Sequence, residues 1–153
     1  MRSIVARACT RRGRLRGAAC GAVLAVAVAI AGCGGGGAPA GSATVGVTER
    51  DFHIATTTGS VGSGRITLRI HNAGPDEHEL IVAPDSSGGL PLRADGFTVN
   101  EEAIESSEQG AVEPQQPDHT ELLRVRLKPG RYVLFCNMEG HYMAGMHTVL
   151  VVR

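Results

Sequence analysis

The stretch RYVLFCNMEGHYMAGMHTVLVV (residues 131–152) decides how the chain is to be read. Its two ends, RYVLFC and HTVLVV, are short runs of β-branched, aromatic and aliphatic residues of strand length. Between them lie two glycines and no helical or strand periodicity, so the middle is a loop joining two strands. Three chemically distinctive side chains punctuate it, Cys136, His141 and Met146, with four residues between each pair. A thiolate, an imidazole and a thioether are thereby gathered at one end of the domain.

Upstream, the same β-like texture recurs between turn residues. Residues 45–54 (VGVTERDFHI) alternate loosely, and residues 59–64 (GSVGSG) read as a turn. Residues 65–71 (RITLRIH) alternate cleanly, with Ile66, Leu68 and Ile70 on one face. After the loop 72–77, His78 opens a further strand, HELIVA (78–83). Residues 119–127 (HTELLRVRL) are another strand, and Lys128-Pro129-Gly130 a turn. The acidic, polar segment 84–118 is an excursion from the core. Its residues 100–109 suit a short helix with Asn100 as N-cap and Glu101 and Glu102 in the first turn. Six or seven short strands with regular turns predict an all-β fold, a Greek-key β-sandwich with one long loop.

Length and charge set the surroundings. The 153 residues suit a single domain plus a leader. Residues 1–32 carry six arginines and no acid; the remainder has nine Lys and Arg against fifteen Asp and Glu, a net charge near −6. That balance argues against nucleic acid as a partner, since phosphate neutralisation needs Lys and Arg. The apolar run 18–31 is short for a membrane span and has signal-peptide layout. It ends in Ile30-Ala31-Gly32-Cys33, which resembles the lipobox of bacterial lipoproteins. The resemblance implies cleavage before Cys33 and its lipidation, hence a membrane anchor. Thr10-Arg11-Arg12-Gly13-Arg14-Leu15 resembles a twin-arginine export signal, with ordinary Sec export the alternative. The expected layout is therefore a signal peptide (1–32), a lipid-anchored Gly-rich tether (33–43) and a folded domain (44–153), outside the cytoplasm.

Cys136 is the only cysteine in the expected domain, so no disulfide can form within it. An exported protein with one unpaired thiol needs a chemical reason for it. With His78 as a second imidazole, the candidate donors are two imidazoles, one thiolate and a weak thioether. That set suits both oxidation states of copper, whereas zinc tolerates the first three but has no preference for the last. Met143 and Met138 compete with Met146 for the thioether role, and spacing favours Met146. His53, His71, His119 and His147 have no partner motif and are expected to be structural or solvent-facing.

Tyr132-x-Leu134-x-Cys136 followed by C-x4-H-x4-M, together with Asn72-x-Gly74-x-x-x-His78-Glu79-Leu80, resembles the cupredoxins, the small blue-copper proteins such as plastocyanin and azurin. The spacing is most similar to the rusticyanin and sulfocyanin-like branch. The resemblance spans residues 45–152. It implies one type 1 copper ion held by His78, Cys136 and His141, with Met146 axial. It also implies a one-electron carrier between redox proteins, not an enzyme, with no small-molecule substrate. Copper binding and delivery through the same residues is the alternative use. Two departures stand out. Glu139 occupies a place where relatives often have Pro, which puts a carboxylate near the metal and should lower the potential. Glu79 occupies the place of an Asn that braces the Cys loop in plastocyanin and azurin, which leaves that support in question.

Overall fold

The computed structural model describes residues 41–86 and 88–153. The expected signal peptide, Cys33 and the tether up to residue 40 lie outside the described residues. Among the described residues the elements run β1 (Gly41–Arg50), β2 (His53–Thr56), β3 (Ser60–Val61), β4 (Gly64–Asn72), β5 (His78–Pro84), α1 (Glu101–Ile104), β6 (Gly110–Gln115), β7 (Thr120–Leu127), β8 (Gly130–Phe135) and β9 (His147–Val152). They form two sheets, ordered β2-β1-β4-β7 and β3-β9-β8-β5-β6. β1 runs parallel to β4 and β3 parallel to β9; the remaining neighbours are antiparallel. This is the β-sandwich expected from the strand pattern. No described helix is long and apolar enough to cross a membrane.

The inner faces follow the period of two that a half-buried strand requires. β4 alternates without a break, burying Ile66, Leu68 and Ile70 while Arg65 and Arg69 stay exposed. Each of these three is almost wholly removed from water, worth about 2 kcal/mol apiece. Val45, Val47, Leu80, Val82, Leu134, Leu150 and Val152 meet them between the sheets.

β8 behaves differently, for Tyr132, Val133, Leu134 and Phe135 are all buried. Tyr132 and Leu134 face the inter-sheet core, whereas Val133 and Phe135 join Ile81, Ala83, Val99 and Ile104 in a second cluster. That second cluster is supplied in part by the segment expected to be a mere excursion. Val99 and the short helix α1, with Ile104 buried, cover the outer face of the sheet. Asn100 caps α1 by accepting from the Ala103 amide at 3.4 Å.

Three expectations are corrected. The segment 84–118 is not outside the core: it contains β6, which pairs with β5 and buries Val112. The stretch 45–54 is not one strand but the arms of the β1–β2 hairpin, which turns at Asp51-Phe52. Ordered pairing starts before Thr44, because Gly41, Ser42 and Ala43 lie opposite Gly64, Arg65 and Ile66. In that position their backbone groups are satisfied by β4, which a free tether would leave to water.

Candidate metal centre

His78 is the first residue of β5 and is fully buried. The loop before it is shaped by Asn72, itself buried at the end of β4. The Asn72 Nδ2 donates to the carbonyls of Asp76 and Gln115, both at 2.8 Å, while Oδ1 accepts from the Gly74 amide at 2.9 Å. One side chain thus satisfies three backbone groups and fixes the entry into β5. Gly74 is required by space: a Cβ there would stand 2.7 Å from His78 Nε2 and 2.9 Å from Asp51 Oδ1.

Cys136 directly follows β8, and the loop beyond it is closed at its base by backbone hydrogen bonds. The Cys136 amide donates to the Met146 carbonyl at 3.1 Å, the Met146 amide to the His141 carbonyl at 2.9 Å, and the His141 amide to the Met138 carbonyl at 2.9 Å. Gly140 and Gly145 take φ values of +80° and +101°, left-handed turns that side-chain-bearing residues resist.

These two loops bring donors together. The ligand atoms of His78, Cys136 and His141 all lie within 4.8 Å of one another. Cys136 Sγ is 3.5 Å from His141 Nδ1, and the two imidazole rings sit 5.3 Å apart at 61°. Cys136 is fully buried and His141 half-buried. Met146 is fully buried in the same core cluster as Cys136, whereas Met143 is 53% exposed and Met138 packs at the cluster's edge. His53, His119 and His147 are exposed, and His71 Nδ1 faces the His119 carbonyl and Thr120 Oγ1. Among the described residues, none of these four joins a donor cluster.

The donor set fits a copper ion on physical grounds. Among the described residues, neither nitrogen of the buried His78 has a hydrogen-bond partner. An orphaned buried polar atom costs about 1–3 kcal/mol, which a metal on Nδ1 would relieve. Nε2 lies 3.2 Å from Asp51 Oδ1. Burial, and then the neighbouring His141, hold the His78 pKa below its ordinary value against the pull of Asp51, so the ring keeps a free lone pair. Burial pushes the Cys136 thiol up to about 11, opposed by hydrogen bonds from the Glu79 and Met138 amides. Without a metal this thiol keeps its proton and is an inert hydrophobe; metal binding would release it.

Carboxylates shape the surroundings in a way the sequence reading did not foresee. Glu79 does brace the Cys loop, since its Oε1 accepts from the Asn137 amide at 3.1 Å. The support in question is therefore present, delivered by a longer side chain. Asn137 extends the brace: its Oδ1 accepts from the Val99 amide at 2.6 Å and its Nδ2 donates to Glu101 Oε1 at 2.6 Å. Glu139 is exposed and lines an open cleft with Arg93, Asp95 and Glu101, where solvent screens its charge. The buried acid is Glu49, wholly inside the sandwich and without a hydrogen-bond partner among the described residues. Burial, and then Glu79, raise its pKa to about 8. Asp51 and Phe52, at the tip of the β1–β2 hairpin, also went unread; Phe52 lies edge-on to His141 with ring centres 5.4 Å apart.

The strand order of the two facing sheets is that of a cupredoxin-like β-sandwich, and this domain has that fold. No protein-family model matches the chain, and no curated protein matches it. Among solved structures it is similar to auracyanin A, a "blue" copper protein from the green thermophilic photosynthetic bacterium Chloroflexus aurantiacus, at 18% identity and a TM-score of 0.55, covering 74% of this chain and 100% of that one. It is similar to the dithionite-reduced auracyanin of the photosynthetic bacterium Roseiflexus castenholzii at 18% identity and a TM-score of 0.51, covering 73% and 96%. It is also similar to an azurin of the obligate methylotroph Methylomonas sp. strain J at 16% identity and a TM-score of 0.52, covering 72% and 98%. These likenesses are likenesses of fold.

Proposed function

We propose that this protein holds one type 1 copper ion, for which His78, Cys136, His141 and Met146 would be the donors, and carries single electrons between redox proteins outside the cytoplasm. The observation that carries this reading is the convergence of three donor atoms within 4.8 Å, one of them an orphaned, fully buried imidazole. Bound there, copper supplies one-electron redox chemistry. The chain's own contribution is to keep water from Cys136 and His78 and to hold the donors on two hydrogen-bonded loops. Such a frame limits rearrangement between oxidation states, which favours fast transfer. His141, half-buried at the rim, is the donor nearest solvent and so the natural point of electron entry.

The same reading anchors the chain to a membrane through lipidated Cys33, on the strength of the lipobox-like residues 30–33. It assigns no turnover of a small molecule. Six histidines do not supply a further copper centre, and no second cysteine stands beside Cys136 for a two-copper site.

The test is direct. The full-length protein, purified in detergent and given Cu(II), should develop intense visible thiolate-to-copper absorption and a reversible one-electron potential. Cys136→Ser should abolish the colour. A colourless wild type, or equal copper binding by the Ser variant, would sink the reading. Rapid handover of copper to an apo acceptor, with slow self-exchange, would instead favour copper delivery.

A further inference from the structure

The copper reading leaves one charged contact unused. Asp51 comes from the β1–β2 turn, in the sheet opposite to β5, yet its Oδ1 reaches to 3.2 Å from Nε2 of His78. His78 is completely buried, and Asp51 is 32% exposed. The approach is built from several sides. Gly74 lacks the Cβ that would fill the space between the two groups. The Ala73 amide donates to the Glu49 carbonyl at 2.9 Å and the Arg50 guanidinium to the Ala73 carbonyl at 3.4 Å, which stitch the hairpin to the loop carrying Gly74. Among the described residues Asp51 Oδ1 has no hydrogen-bond partner, and its 3.2 Å approach to Nε2 falls outside hydrogen-bond geometry. A metal on Nδ1 would commit the other nitrogen to carry the proton, and among the described residues this carboxylate is the acceptor that lies against it, at 3.2 Å.

We propose that Asp51 is a positioning residue for the metal centre: its carboxylate fixes the tautomer and orientation of His78 and sets how strongly that imidazole donates. This rests on the copper reading and deepens it. A carboxylate behind a metal-bound histidine raises the basicity of the ring. The more basic ring favours the more highly charged oxidation state, so Asp51 lowers the reduction potential. Removing the charge should therefore raise the potential.

The experiment compares wild type, Asp51→Asn, Asp51→Glu and Asp76→Asn, each full-length and loaded with Cu(II). Asp76 is the other acid near His78, but it acts only through its charge at longer range. Asp51→Asn should keep the intense visible band while shifting the relative binding of the two copper oxidation states about tenfold, which for one electron is about 59 mV upward. Asp76→Asn should move the potential far less, and Asp51→Glu should recover most of the wild-type value. Loss of copper in Asp51→Asn with retention in Asp51→Glu would also support the role. A coloured Asp51→Asn protein whose potential matches that of Asp76→Asn overturns this assignment and leaves the copper reading intact. A colourless wild type overturns both.

Discussion

The amide of Asn137 donates to Glu79 Oε1 at 3.1 Å, joining the residue after Cys136 to the residue after His78. His78 opens β5 and Cys136 directly follows the adjacent β8, and this hydrogen bond locks the ends of those two strands together just where the donors emerge. A hydrogen bond contributes about 0.5–1.5 kcal/mol net, and losing the acceptor also leaves the amide of buried Asn137 unpaired, at about 1–3 kcal/mol. Glu79→Ala should therefore destabilise the domain by about 2 kcal/mol in chemical denaturation and broaden the visible copper band. Glu79→Gln, which retains an acceptor, should lose less than half as much. Equal losses in the two variants would mean that the acceptor oxygen is not what braces the loop.

Glu49 makes the copper-free protein sensitive to pH. Its pKa in the fold, about 8, lies above its ordinary 4.5, so the folded state keeps a proton that the unfolded chain releases. Glu79, raised to about 7 by burial and then by Glu101, acts in the same sense. Their contribution is complete below about pH 4.5 and is lost as pH rises toward 8, on the order of a few kcal/mol across the window. Melting temperatures of the copper-free protein should fall from pH 5 to pH 8. Glu49→Gln should flatten that decline and be the more stable protein at pH 8. A wild-type profile rising over this range would contradict the burial of a protonated Glu49.

Much of this was legible in one dimension, for reasons the residues make plain. Ile66, Leu68 and Ile70 announce β4 because only one of its faces is buried. Cys136, His141 and Met146 are legible because one loop carries all three. The uninterrupted apolar run of β8 is buried on both faces, and Val99 and Ile104 of the segment expected to be an excursion supply the second cover. β6 was harder: GAVEPQ contains a proline and buries only Val112 and Gln115, the weak pattern of an edge strand. Asp51 was illegible altogether, since its meeting with His78 exists only once β1 and β2 have folded back. Glu79 was misjudged because a sequence names a side chain without saying what its length can reach.

Gly74 offers a steric test of the same corner. The fully buried His78 ring cannot retreat, so a methyl 2.7 Å from Nε2 must displace it or Asp51. Overpacking of this kind costs about 1–3 kcal/mol. Gly74→Ala should show that loss in denaturation and weaken copper binding at least tenfold in competition titration, as disturbed outer ligands do. Gly62→Ala, where a Cβ meets nothing within 4 Å, should be close to neutral. Wild-type affinity in Gly74→Ala would show that the loop gives way without moving the imidazole.

Phe52 sets backbone strain against packing. Its φ of +59° is a left-handed conformation that costs a bulky residue about 1–2 kcal/mol, yet its ring is 52% exposed and recovers only part of that by covering His141. Phe52→Gly removes the strain and the ring together, so the two changes should nearly cancel and leave the melting temperature within a few degrees. Phe52→Ala removes the ring but keeps a Cβ in the same conformation, and should be about 1 kcal/mol less stable than Phe52→Gly. Both variants uncover the rim of His141 and should surrender copper to a chelator several-fold faster than wild type. Equal stability of the Gly and Ala variants would show that the turn carries no strain. An unchanged chelation rate would show that the ring does not shield the histidine.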